Sequence, residues 1–153
     1  MKKILLLFVF ALSVGITSCS SDDDNGGPAN AESVVGTWEI YEVYSEFEFD
    51  DFGTVEETIS TSSCNPTPVV SFNADGSLNL TDFELEFDFD DNEECFIDGE
   101  LQGTWEDLGS GTFRLAIDGD TQDAEIRMSG NRIFITLEEE FFGGTMEYRG
   151  NKV

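Results

Sequence analysis

Three cysteines, 33 carboxylates and no histidine define the chemistry open to this 153-residue chain. Without an imidazole there is no Ser-His-Asp or Cys-His relay and no His-ligated zinc. Cys19, Cys64 and Cys95 form no CxxC pair, and no base stands ready to activate a thiolate. Carboxylates can work in pairs, as in glycoside hydrolysis, but no pair stands out from the alternating acidic faces described below. Asp88, Asp90, Asp91, Asn92, Glu93 and Glu94 offer the hard oxygen ligands that Ca²⁺ takes. Their spacing is not that of an EF-hand loop, because Glu93 stands at the sixth position, where glycine is needed, and Gly99 at the twelfth, where glutamate is needed. The group reads as a solvated acidic loop. No catalytic residue, metal or cofactor is assigned, and the chain is not expected to be an enzyme. Seven Lys and Arg against 33 acids give a net charge of −26 at pH 7. Such a chain repels phosphate backbones, whose binding depends on Lys and Arg displacing counterions, so nucleic acid is excluded as a partner.

Lys2 and Lys3 precede an apolar run from Ile4 to Val14. That run is shorter than the roughly 20 residues a membrane-crossing helix needs, and it suits a secretory signal. Its end, Ile16-Thr17-Ser18-Cys19, resembles a lipobox, the site at which bacterial lipoproteins are lipidated on cysteine and cleaved just before it. The resemblance implies a signal peptide over residues 1–18 and lipidation of Cys19. Two or more acyl chains, at about 0.8 kcal/mol per buried methylene, hold a protein on a membrane where one chain does not. Ser20-Ser21-Asp22-Asp23-Asp24 and the Gly- and Pro-containing stretch that follows have nothing apolar to bury. Residues 19–32 therefore read as a flexible acidic tether. An acidic cluster in this place resembles the export signal of Bacteroidetes lipoproteins carried to the outer face of the outer membrane. It implies a lipid-anchored location on the cell surface.

With Cys19 consumed by lipid, Cys64 and Cys95 remain, an even number in a chain exported to an oxidising space, and a disulfide is expected between them. Closing a loop of 31 residues stabilises a fold by roughly 3 to 4 kcal/mol in the chain-entropy treatment.

The elements that must position these groups are strands. Phe83, Leu85, Phe87 and Phe89 alternate with Glu84, Glu86 and Asp88, the two-residue period of a strand with one apolar and one acidic face. The same period recurs at Phe47/Phe49, Phe113/Leu115/Ile117, Ala124/Ile126/Met128 and Ile133/Ile135/Leu137, and Pro66 and Pro68 precede a further strand at Val69–Phe72. Turn residues separate the runs, among them Asn73-Ala74-Asp75-Gly76, Asp118-Gly119-Asp120 and Ser129-Gly130-Asn131. No segment after the signal holds a helical period over ten residues. Eight or nine short strands joined by tight turns predict an all-β antiparallel meander over residues 33–153. Closing it as an up-and-down barrel removes the exposed edges of an open sheet.

Gly36-Thr37-Trp38 at the head of the first strand matches the G-x-W motif of lipocalins in type and position. With the lipobox, the cysteine pair and the Phe-Asn-Ala-Asp-Gly turn at 72–76, the chain resembles the lipocalin-like domain of Bacteroidetes lipoproteins. The resemblance implies a barrel of about eight strands, one end plugged by Trp38 with Arg149 of the last strand packed over the indole. No lipocalin C-terminal helix is expected before Val153. Gly36-Thr37-Trp38-Glu39 recurs as Gly103-Thr104-Trp105-Glu106. No further matches follow at that offset, so the recurrence reads as one strand-start device used twice.

Two functions are open to such a chain. The lipocalin resemblance implies a membrane-anchored barrel taking up a small apolar or amphipathic ligand, whose binding residues are not assigned. The alternative is a non-catalytic structural or interaction lipoprotein, its barrel filled by inward residues such as Phe47, Phe49, Phe87 and Phe113, its partner another envelope protein. In either case the contact with the membrane runs through the lipid on Cys19. Replacing that residue, Cys19→Ala, should release the protein from the membrane fraction, because the tether carries no other apolar anchor. Retention of the variant after a salt wash would contradict the assignment.

Overall fold

A computed structural model describes residues 26–49, 53–87, 93–139 and 143–153. Residues 1–25, with Cys19 and the expected signal, lie outside them, as do 88–92 of the acidic loop. The alternating segments all form strands: β1 (Gly27–Pro28), β2 (Gly36–Phe49), β3 (Gly53–Ser60), β4 (Val69–Phe72), β5 (Ser77–Phe87), β6 (Glu93–Gly109), β7 (Thr112–Ile117), β8 (Asp120–Ser129), β9 (Arg132–Glu139) and β10 (Gly144–Lys152). A one-turn helix α1 (Ala31–Val34) precedes β2, and a 3₁₀ turn, Thr61–Ser63, follows β3.

Eight of the strands close into an antiparallel barrel, in the order β2-β4-β5-β6-β7-β8-β9-β10 and back to β2. Each strand neighbours the next along the chain, the up-and-down order of a lipocalin-like barrel. The closing seam pairs the first strand with the last, from Gly144 opposite Phe47 to Lys152 opposite Trp38. An irregularity between Arg149 and Gly150, where Arg149 faces Glu42 and Gly150 faces Ile40, shifts the register of the seam by one residue. β3 stands outside the ring and pairs with β2.

The core gathers at the end of the barrel where β2 begins. Trp38, Phe72, Leu78, Phe113, Ile126 and Ile133 are fully buried there, and Val34 of α1 covers them from below. Trp38 donates its indole N–H to the carbonyl of Val34 at 2.8 Å. Trp105 does the same to Asn73 at 3.0 Å and packs edge-on against Phe72. The two Gly-Thr-Trp-Glu segments therefore close the same end from opposite sides, each tryptophan satisfying its polar atom on a backbone carbonyl. Phe113 fills the core as expected. Phe47 is half buried, while the side chains of Phe49 and Phe87 lie outside the described residues.

The folded part begins before residue 33, the boundary expected from composition. Gly27 and Pro28 pair with Met128 and Arg127 of β8, Ala29 is buried, and Asn30 caps α1 through a reciprocal pair of bonds with Ser33. Polar composition misled here because the segment contributes backbone pairing and one small side chain instead of an apolar stripe.

Both ends of the chain hold one core, so both should be needed for it. Trp38→Ala removes a buried indole and should cost about 3 to 5 kcal/mol, a large part of the 5 to 15 kcal/mol that holds a domain together. Truncation after Gly144 deletes the closing strand and should unfold the barrel. A truncated protein that keeps its full denaturation midpoint would contradict closure by β10.

Candidate functional site

Barrels of this kind offer three places for function: the interior, the two ends and the outer wall. The end plugged by Trp38 is sealed, and its cation differs from the expected one. Lys152 places its ammonium 5.1 Å from the centre of the Trp38 ring, while Arg149 lies 5.1 Å over Tyr44 instead. The register explains the exchange. Lys152 stands directly opposite Trp38, and Arg149 stands three residues higher, opposite Glu42, beyond the irregularity in β10. Gly36 makes room for the lysine: its φ is +144°, and a Cβ there would come within 2.9 Å of the Lys152 Cε. Glycine is thus required by both the backbone conformation and the neighbouring side chain. Lys152 also donates to the carbonyl of Val35 at 3.2 Å.

Arg149 belongs to a network on the outer wall. It bonds Glu42 on β2 and Glu147 on its own strand, and Glu147 also accepts from Arg127 on β8. Burial would lower the pKa of Arg149, but the hydrogen bonds and charges of the two carboxylates together outweigh it, so the guanidinium stays more firmly protonated than an ordinary arginine. Phe134 on β9, buried despite pointing outward, lies beneath Arg127 and Arg132 at 5.2 and 5.9 Å. These groups knit four adjacent strands together across the closing seam. All the carboxylates and cations of this network that are named here are engaged with one another, which is the arrangement of a structural clamp.

Among the described residues, a cavity of about 90 Å³ lies in the interior above the tryptophan-filled end. Ile40, Val70, Leu80, Phe83, Leu115, Ile135 and Tyr148 line it, and Thr81 brings a hydroxyl to its wall. That hydroxyl accepts from the Val69 N–H at 3.0 Å, so it is already satisfied. On the outer wall a cleft of about 290 Å³ is bordered by Asp123, Glu125 and Glu138 with three threonines. Asp123 is committed to Arg114, whose paired hydrogen bonds hold its carboxyl below the usual range. Among the described residues no group of His, Cys, Asp or Glu is arranged to hold a metal ion.

The segment between β3 and β4 lies against β2 at Ile40, beside the cavity. Thr61 is buried and donates its hydroxyl to the Ile40 carbonyl, Pro68 accepts from the Ile40 N–H at 2.9 Å, and Cys64 is bonded to Cys95. Cys95 lies on the same side of β6 as the half-buried Ile97, opposite the exposed Phe96, so the disulfide reaches past β5 to the inner side of β6. The cysteine pairing expected from the compartment is the pairing present. Its place could not be read from the sequence: it ties down the only long connection in the described barrel.

No family model, curated protein or solved structure matches the chain. The lipocalin likeness therefore rests on the motif residues and on the barrel itself.

The corrected barrel end separates the two cations. Arg149→Leu leaves Glu42 without the cation it bonds and Glu147 with Arg127 alone, and should cost about 1 to 3 kcal/mol. Lys152→Met removes one exposed cation over an indole and should cost about 0.5 to 1 kcal/mol. Chemical denaturation of the two variants checks the order, and a reversed order would return the barrel-end role to Arg149.

Proposed function

We propose that this chain is a lipid-anchored, non-catalytic interaction module of the outer membrane, held on the cell surface through Cys19, whose barrel is a filled scaffold and whose outer surface meets another envelope protein. The observation that carries this reading is the small cavity among the described residues of the barrel interior. Pockets for small molecules run to about 300 to 1,000 Å³, and an apolar cavity of about 150 Å³ takes a ligand no larger than benzene. The cavity of about 90 Å³ here is below both. Trp38, Phe72, Trp105 and Phe113 fill the base of the barrel beneath it. The other reading, uptake of a small apolar or amphipathic molecule, requires the connection from Thr61 to Pro68 to move away from Ile40 beside the cavity, against the disulfide and the two bonds to Ile40.

The orientation follows from the same geometry. Gly27, Lys152 and α1 all lie at the tryptophan-filled end, so a tether on Cys19 puts that end toward the membrane. The β2–β3 and β5–β6 hairpins then point outward, where a partner can reach them.

Titration with a fluorescent fatty acid, together with native mass spectrometry of the isolated protein, tests the reading. The expected outcome is no saturable uptake and a mass equal to that of the processed, lipidated chain alone. One-to-one uptake of the fatty acid, or a stoichiometric bound molecule in the spectrum, would favour the ligand-carrying barrel instead.

A further inference from the structure

β2 is paired along one edge by two different strands. Its first residues, Gly36 to Glu39, meet β4, and its upper part, Glu42 to Phe49, meets β3. β5 meets β4 only through Leu78, Asn79 and Leu80, and then runs on to Phe87 against β6 alone. Between β3 and the upper half of β5 the described sheet has no ladder, so the barrel wall is split there and β3 carries a free edge.

The hydrogen-bond phase of that edge can be read from its neighbours. Glu48 donates its N–H to Gly143 on the β10 side, so Glu46 and Glu48 turn their backbone groups away from β3. In an antiparallel pair the residues directly opposite them do likewise on the other strand. Thr54 opposite Glu48, Glu56 opposite Glu46 and Thr58 opposite Tyr44 therefore aim their N–H and C=O groups outward, to the free edge. These residues and their neighbours from Gly53 to Thr58 are exposed, including Val55 at 45%.

A second observation gives the edge its sign. Glu46 and Glu56 are direct cross-strand partners, an arrangement of like charges that destabilises a sheet. Glu57 and Glu48 flank them, and Glu84 lies exposed on β5 across the split. No Lys or Arg occurs anywhere from residue 4 to residue 113. Burial first, then the carboxylates of Glu46 and Glu56, push the Tyr44 hydroxyl above its ordinary pKa. A strand edge with this charge repels another copy of itself, which protects it from edge-to-edge aggregation. It leaves a strand of opposite sign free to add.

We infer that the free edge of β3 is a docking site for an extended, Lys- and Arg-bearing segment of a partner protein, which joins the sheet as an added strand. Backbone groups of Thr54, Glu56 and Thr58 supply the ladder, as in other cases of strand addition, and the facing pair Glu46 and Glu56 receives a cation from the incoming chain. This deepens the proposed interaction role, on which it rests, by naming the surface and the chemistry of the partner.

The test uses the full-length protein in detergent and a labelled ten-residue peptide alternating Lys with Val, followed by fluorescence anisotropy. Saturable binding that weakens with salt is expected. The same peptide N-methylated on alternate residues, which blocks one edge, should bind at least tenfold more weakly, and a Glu-for-Lys peptide should not bind. Thr58→Pro removes an outward N–H without touching the β2 ladder and should weaken binding at least tenfold, with folding checked by circular dichroism. If that variant does not fold, the methylated peptide on the native protein decides. Equal affinity for the methylated and unmethylated peptides would overturn strand addition, and so would absence of saturable binding by the Lys peptide. Either result with no fatty-acid uptake rejects the edge and leaves the filled barrel standing, whereas fatty-acid uptake alone rejects the filled barrel and leaves the edge.

Discussion

The pairing of β2 with β10 is the constraint on which the rest of this molecule depends. An antiparallel meander left open presents two full edges, and closing it satisfies both at once. The seam also fixes the core, because the register that sets Lys152 opposite Trp38 places the last residues of the chain over the first buried indole. Gly36 permits that approach, and the shift between Arg149 and Gly150 divides the seam into two parts. Below the shift a lysine covers the plug; above it an arginine joins strands through their carboxylates.

Charge is distributed with the same asymmetry. Every cation of the barrel lies between Arg114 and Lys152, on β7 to β10. Arg127, Arg132 and Arg149 are drawn into the cross-strand network beside the seam, where they hold adjacent strands by contact with Glu42, Glu147 and Phe134. The opposite half of the wall, β2 through β6, has acids and no cation of its own sequence to offset them. Stability is thus concentrated where the barrel closes, and uncompensated charge where the wall is split. The disulfide is placed between these regimes, holding the connection that leaves β3 and returns to β4.

Much of this was legible in the sequence, and the parts that were not share a cause. Two-residue alternation located β5, β7, β8 and β9, and Trp38 and the Cys64–Cys95 bond stood out through motif and count. Alternation reports which face of a strand is buried, but it cannot show which strands are neighbours or where a register shifts. The lipocalin resemblance implies Arg149 over Trp38 and carries no register either, and a one-residue irregularity brings Arg149 to Tyr44 and gives the indole to Lys152. The division of one edge of β2 between β3 and β4 escaped for the same reason, since both segments alternate as ordinary strands. The cavity depends on the packing of side chains from six strands, a sum that no local pattern contains.

Residue-resolved amide hydrogen exchange on the full-length protein tests most directly the claim that the wall is closed at β2–β10 and free at β3. Amides of β10 from Thr145 to Arg149, bonded on both sides, should exchange only through global unfolding, while Glu56 and Thr58 on the outer edge of β3 should exchange orders of magnitude faster. Amides of β10 exchanging as fast as those of the edge, or Glu56 and Thr58 as slow as β10, would contradict the account.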